Sequence, residues 1–148
     1  MATITLYRQA RFDGGLRTGI DVDGETILEH YQPESGDSNP ALLWYMDVRL
    51  SGDQLPSDPL EARDWLAANS EFFRSQLERV AEENLEAGFD AELRPFRRRL
   101  GGCPEGCSAE VVISAVRRLE ARDIADHVRN LADRWGAVLE ELAPLSQV

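Results

Sequence analysis

Apolar residues at the start of the chain recur at every second position. Ile4, Leu6, Ala10 and Phe12, then Leu16, Ile20 and Val22, all carry even numbers, the period of a strand with one face buried. Asp13-Gly14-Gly15 and Asp23-Gly24 interrupt the alternation with turn chemistry, so residues 2–31 read as two successive hairpins. Parity sets the expected register. A three-residue loop over Asp13, Gly14 and Gly15 pairs Phe12 with Leu16 and keeps both apolar sets on one face. A two-residue turn at Asp23-Gly24 pairs Ile20 with Ile27, which points Ile27 and Tyr31 inward and His30 outward. Residues 32–40 are polar and turn-rich. Over residues 41–50 Leu42, Trp44, Met46, Val48 and Leu50 alternate with Leu43, Tyr45, Asp47 and Arg49, which predicts a fourth strand.

From Asp58 the spacing becomes helical. Asp58-Pro59-Leu60-Glu61 supplies an N-cap, a proline at the first helical position and a glutamate three residues after the cap. The helix carries Trp65 and reaches Ala68. After a break at Asn69-Ser70 a second helical stretch holds Phe73, Leu77, Val80 and Ala81 and ends at Gly88. Residues 89–107 read as irregular. Ser108 is expected to cap a third helix bearing Val112, Ala115, Val116 and Leu119. The last helix has the strongest period, Ile124, Val128, Leu131, Trp135, Val138 and Leu142, and Pro144 stops it. Written as heptads, these are a and d positions, Ala125, Ala132 and Leu139 fall at e, and Arg134 and Glu141 fall at g. A stripe three residues wide suits packing inside one globular body better than a two-stranded seam, so a monomer is expected over a homodimer.

Hairpins followed by helices define an α+β chain. The expectation is a single domain over residues 1–148, with a β-rich half at 1–50 and a helical half at 58–143. Its N-terminal antiparallel sheet has about four strands, two hairpins plus one strand, covered on one face by C-terminal helices.

Composition narrows the function classes. The 148 residues are 43% hydrophobic, enough for a core, and 27 acidic against 16 basic residues leave a net charge of −11. That field repels nucleic acid and anionic membrane, so neither is an expected partner. Every basic residue is Arg, which removes the phosphate-binding lysine of P-loop proteins, Schiff-base lysines and lysine general bases. The longest apolar run, residues 41–46, is far too short to span a bilayer. The N-terminus alternates instead of showing a basic stretch before an apolar one, which points to the cytoplasm.

Candidate chemistry is sparse. Asp21-Val22-Asp23-Gly24-Glu25-Thr26 departs from the D-x-D-G-T signature of haloacid dehalogenase-type phosphatases through the inserted Glu25, and reads as a hairpin turn. Cys103 and Cys107 are candidate reactive thiols. Cys107 would precede the helix expected at Ser108, whose free N–H groups favour thiolate, and a cytoplasmic location argues against a permanent disulfide between the two. No His-x₃₋₅-His pair accompanies them, so no metal and no cofactor are expected. Arg94, Arg97, Arg98, Arg99, Arg117 and Arg118 form a locally basic stretch suited to an anion, or to pairing with the protein's own carboxylates. Tyr7, Arg11, Arg17, Asp21, His30, Tyr45, Asp47 and Arg49 share the outer sheet face, where acid–base work would need a pocket. These features suggest a small cytoplasmic accessory or interaction module whose partner is another protein. The alternatives are a lysine-free enzyme or sensor using Cys107, or a binder of an anionic small molecule.

Overall fold

A computed structural model of the chain describes residues 2–10, 15–32, 44–87, 95–115 and 120–144. Arg11, the Asp13-Gly14 turn, the start of the expected fourth strand, Gly88, Arg94, Arg117 and Arg118 lie outside them. Four strands come first: β1 (Ala2–Ala10), β2 (Leu16–Val22), β3 (Glu25–Gln32) and β4 (Trp44–Gly52). Helices α1 (Pro59–Ala68) and α2 (Ser70–Ala87) follow, then β5 (Phe96–Leu100) and β6 (Ser108–Ala115). Helices α3 (Ala121–Asp133) and α4 (Trp135–Glu141) and a short β7 (Ala143–Pro144) complete the order. The sheet runs β5-β6-β4-β1-β2-β3-β7, with every neighbouring pair antiparallel. The class is therefore α+β, with an antiparallel sheet covered on one face by helices.

The sheet has seven strands instead of about four, because a hairpin inserted between α2 and α3 adds β5 and β6, and the short β7 pairs with β3 at the other edge. The helix expected from Ser108 is strand β6. Ala109, Val111 and Ile113 alternate into the core at 4%, 0% and 0% exposure, and Val111-Val112-Ile113 is a β-branched run whose side chains are restricted in a helix. In β5, Phe96 and Leu100 are buried on the same face, so the arginine run is a strand and not irregular chain.

In the first hairpin the expected face is right and the register is two residues away. Ala10, not Phe12, pairs with Leu16. A slip of two keeps every side chain on its face, so the hydrophobic pattern cannot distinguish the two registers. The second turn forms as expected, with positive φ at Asp23 (51°) and Gly24 (90°) and Val22 paired with Glu25. A bulge then intervenes between Ile20 and Asp21, and Ile20 pairs with Leu28. The extra residue reverses the faces beyond it. Leu28 is fully buried, Tyr31 is 45% exposed, and His30, opposite Thr18, lies on the helix-facing side instead of the outer one.

Asp58 caps α1 as expected, accepting from the Glu61 N–H at 3.1 Å. Asn69 separates α1 from α2, its side-chain amide donating to the Trp65 carbonyl at 2.9 Å. The final helix is two helices, broken at Arg134 (φ −103°, ψ 10°), yet its stripe of Ile124, Val128, Leu131, Trp135, Val138 and Leu142 is buried throughout. Ala125, Ala132 and Leu139 are buried with it, as the three-wide stripe requires. Trp135 stacks on Phe73 at 5.0 Å and donates its indole N–H to the Leu66 carbonyl at 3.1 Å. One ring system thus joins α1, α2 and α4 over the helix-covered face of the sheet, where Ile4, Leu6, Ile20, Val48 and Ile113 complete one continuous core.

Candidate functional site

The opposite face of the sheet carries no helix among the described residues, and its side chains fall into rows fixed by the register. One row runs Arg97, Val112, Asp47, Tyr7, Gly19, Glu29. Tyr7 is only 4% exposed although it lies on this face. Its phenol crosses β2 over Gly19 and donates to Glu29. A Cβ at Gly19 would lie 2.5 Å from the Tyr7 hydroxyl oxygen and 2.5 Å from the Leu28 carbonyl oxygen, so only glycine lets the ring pass. Burial, reinforced by the Glu29 carboxylate, holds the Tyr7 proton well above the usual phenol range.

Asp47, beside Tyr7, is pushed up by its own burial, while hydrogen bonds from Arg49 Nη2 (2.9 Å) and Nε (3.2 Å) oppose the shift. Thr26 donates to Asp21 at 2.5 Å. Arg17 pairs with Glu29 at 3.6 Å and lies 4.7 Å over the Tyr31 ring. This row is internally satisfied, and its phenol stays protonated. His30 lies on the other face, so the expected histidine is missing from the acid–base set.

The next row runs Arg99, Glu110, Arg49, Thr5, Asp21, Thr26. Here the face opens into a groove of about 380 Å³ lined by Thr3, Thr5, Arg49, Leu50, Ser51, Arg99, Ser108, Ala109 and Glu110. Hydroxyls from three strands and two guanidiniums face one space. Arg97 reaches from β5 to Glu110 of β6 at 2.9 Å, which ties up the groove's one carboxylate; Arg49 is held by Asp47 at 2.9 Å, and Arg99 has no ion pair among the described residues.

Of the expected arginine set only Arg97, Arg98 and Arg99 are among the described residues, and they divide between the two faces. Successive strand residues point to opposite faces. Arg97 and Arg99 are therefore on the open face, whereas Arg98 turns to the helix side and meets Glu83 of α2 at 3.8 Å. Arg49 joins Arg99 instead, brought there by the pairing of β4 with β6. No local pattern signals that pairing, since the two strands are about sixty residues apart in the chain.

Cys103 and Cys107 are joined in a disulfide, and no cysteine among the described residues is free. The expectation of a reactive Cys107 is corrected on two counts. Ser108 opens a strand, so there is no helix N-terminus to favour thiolate. The β5–β6 connection, with a single 3₁₀ turn at Pro104–Gly106, brings the two Cα atoms to 5.3 Å, within disulfide reach.

Charge is unevenly divided between the layers. The outer helix surfaces expose Glu61, Asp64, Glu71, Glu78, Asp126, Asp133 and Glu140 among others, more acids than the Arg74, Arg79, Arg122 and Arg129 they carry. An anion therefore meets its least repulsive approach on the sheet face. Among the described residues no three of His, Cys, Asp and Glu converge as metal ligands, and no helix is long and apolar enough to cross a membrane. No known protein family, curated protein or solved structure matches the chain.

Proposed function

We propose that the protein is an accessory binding module whose open sheet face grips an anionic group, a carboxylate or phosphate, presented by a partner. The observation that carries this reading is the groove in which Arg49 and Arg99 meet the hydroxyl-bearing Thr3, Thr5, Ser51 and Ser108. Guanidinium forks match oxyanions in shape as well as charge. The volume is that of a small-ligand pocket or of a pocket for one side chain of a docked protein. A binding role suits the rest of the face, because Tyr7 and Asp47 are engaged with Glu29 and Arg49 and have no free proton acceptor at hand. A cytoplasmic place of action accompanies this reading.

The test is calorimetric titration of the protein with inorganic phosphate, with citrate and with an acidic peptide. Arg99→Gln is the key variant, since Arg99 is exposed and its removal leaves the fold intact. Binding that weakens about tenfold or more in Arg99→Gln, the effect expected for a lost charge-assisted contact, supports the groove. Preference for citrate or phosphate identifies a free small anion, and preference for the peptide identifies a partner protein. Equal affinity in wild type and Arg99→Gln for all three probes removes the reading.

A further inference from the structure

On the other side of the sheet, Arg8 is buried beneath the helices at 6% exposure. It extends from the core face of β1, between Thr18 of β2 and Met46 of β4. A guanidinium keeps its charge in proteins, so this placement sets a cation inside the core. Its Nη1 has no hydrogen-bond partner among the described residues. Buried charged donors without a partner are costly, and native structures rarely leave them so.

The groups around Arg8 explain neither its burial nor its empty donor. His127, Arg134 and Glu141 recur at every seventh position along α3 and α4, on the flank of the apolar stripe. Arg134 and Glu141 act on Arg8 with opposite sign, and Arg8 in turn acts on His127, so the four side chains form one cluster between β1 and the α3–α4 joint. The Glu141 carboxylate is held by Arg134 at 2.8 Å. The one carboxylate of the cluster is thus engaged by the outer arginine, and Arg8 has no ion pair among the described residues. The side chains of Arg134 and Glu141 are 39% and 33% exposed, so this outer pair meets solvent at the joint while Arg8 lies buried beneath. Burial holds His127 below the usual histidine range against the pull of Asp123 and Asp126, so at neutral pH it adds a polar neutral ring.

We propose that the cluster of Arg8, Arg134 and His127 is a second, inner anion site, in which a phosphate or carboxylate group completes the hydrogen bonding of the buried Arg8 guanidinium. This site is separate from the groove, because β1 directs Arg8 and Thr5 to opposite faces. It would lock the α3–α4 joint to the sheet whenever the anion is present. A ligand that binds the folded form and not the unfolded chain raises the unfolding temperature in a saturable way.

The experiment follows inorganic phosphate binding by calorimetry and thermal unfolding at constant ionic strength, in wild type, Arg8→Met, Arg134→Gln and Arg99→Gln. The expected result is a saturable rise in unfolding temperature in wild type. It persists in Arg99→Gln and is lost in Arg8→Met, with affinity reduced about tenfold or more. Should Arg8→Met fail to fold, Arg134→Gln decides, since its side chain is partly exposed and its loss removes the second guanidinium. Absence of saturable stabilisation in wild type overturns the proposal. So does unchanged phosphate affinity in the folded Arg8 or Arg134 variant, or an effect abolished by Arg99→Gln, which would assign the phosphate to the groove.

Discussion

Trp135→Ala is the perturbation that the architecture makes most severe. Trp135 is fully buried at the start of α4, stacked at 5.0 Å and 20° on Phe73 of α2, with its indole N–H on the Leu66 carbonyl of α1. Removing a buried Trp costs about 3–5 kcal/mol through lost transfer energy and the cavity left behind. The Leu66 carbonyl lies in the last turn of α1, where intrahelical donors run out, so orphaning it adds about 1 kcal/mol. The lost stack contributes about 0.5–1.5 kcal/mol more. These effects overlap, and the expected total is about 4–6 kcal/mol, a large share of a typical domain's 5–15. Trp135→Phe keeps most of the volume and the stack while losing the N–H, and should cost about 1–2 kcal/mol. Urea unfolding followed by far-UV circular dichroism measures both variants without relying on the fluorophore removed. A cost below about 1 kcal/mol for Trp135→Ala, or equal costs for the two variants, would show that α1, α2 and α4 are not joined through this ring.

Tyr7 gives an alkaline signature: its folded-state pKa is raised above the usual phenol value of about 10. Its proton therefore supports the fold fully below that pH, and the support is lost as the pH rises from there through the folded value, because the unfolded chain ionises first. Native-state absorbance titration of wild type and Tyr7→Phe checks this, and loss of a group ionising near the usual value in the variant contradicts it. Cys103 and Cys107 should resist iodoacetamide in the native protein and label only after reduction, as mapped by mass spectrometry; labelling of Cys107 in unreduced protein would restore the free thiol. Exchanging the charges of Arg134 and Glu141, which pair with each other, should leave a monomer mass in native spectrometry. A dimer that dissociates on that exchange would show the stripe's flank to be a seam.

Local chemistry and hydrophobic period alone determined a good part of this molecule. The cap of α1 was readable because Asp58 and the Glu61 N–H lie within one turn. The Asp23-Gly24 turn was readable because both residues tolerate positive φ. The stripe from Ile124 to Leu142 was readable because a helix repeats its buried face, and it survived even the break at Arg134. What the chain could not disclose depends on contacts between distant segments. Val112 and Ala115 fit helical spacing while Ala109, Val111 and Ile113 fit strand spacing, and only pairing with β4 and β5 made residues 108–115 a strand. The bulge beyond Ile20 moved Leu28 inward and His30 to the helix side, a one-residue change that alternation cannot register. The groove exists because β4, β5 and β6 align Arg49 with Arg99, and the buried Arg8 because α3 and α4 close over a strand position that alternation marks only as inward. Periodicity reports which side chains seek burial, whereas the partner that buries them is chosen by the global sum of packing, and that sum is a property of the folded chain.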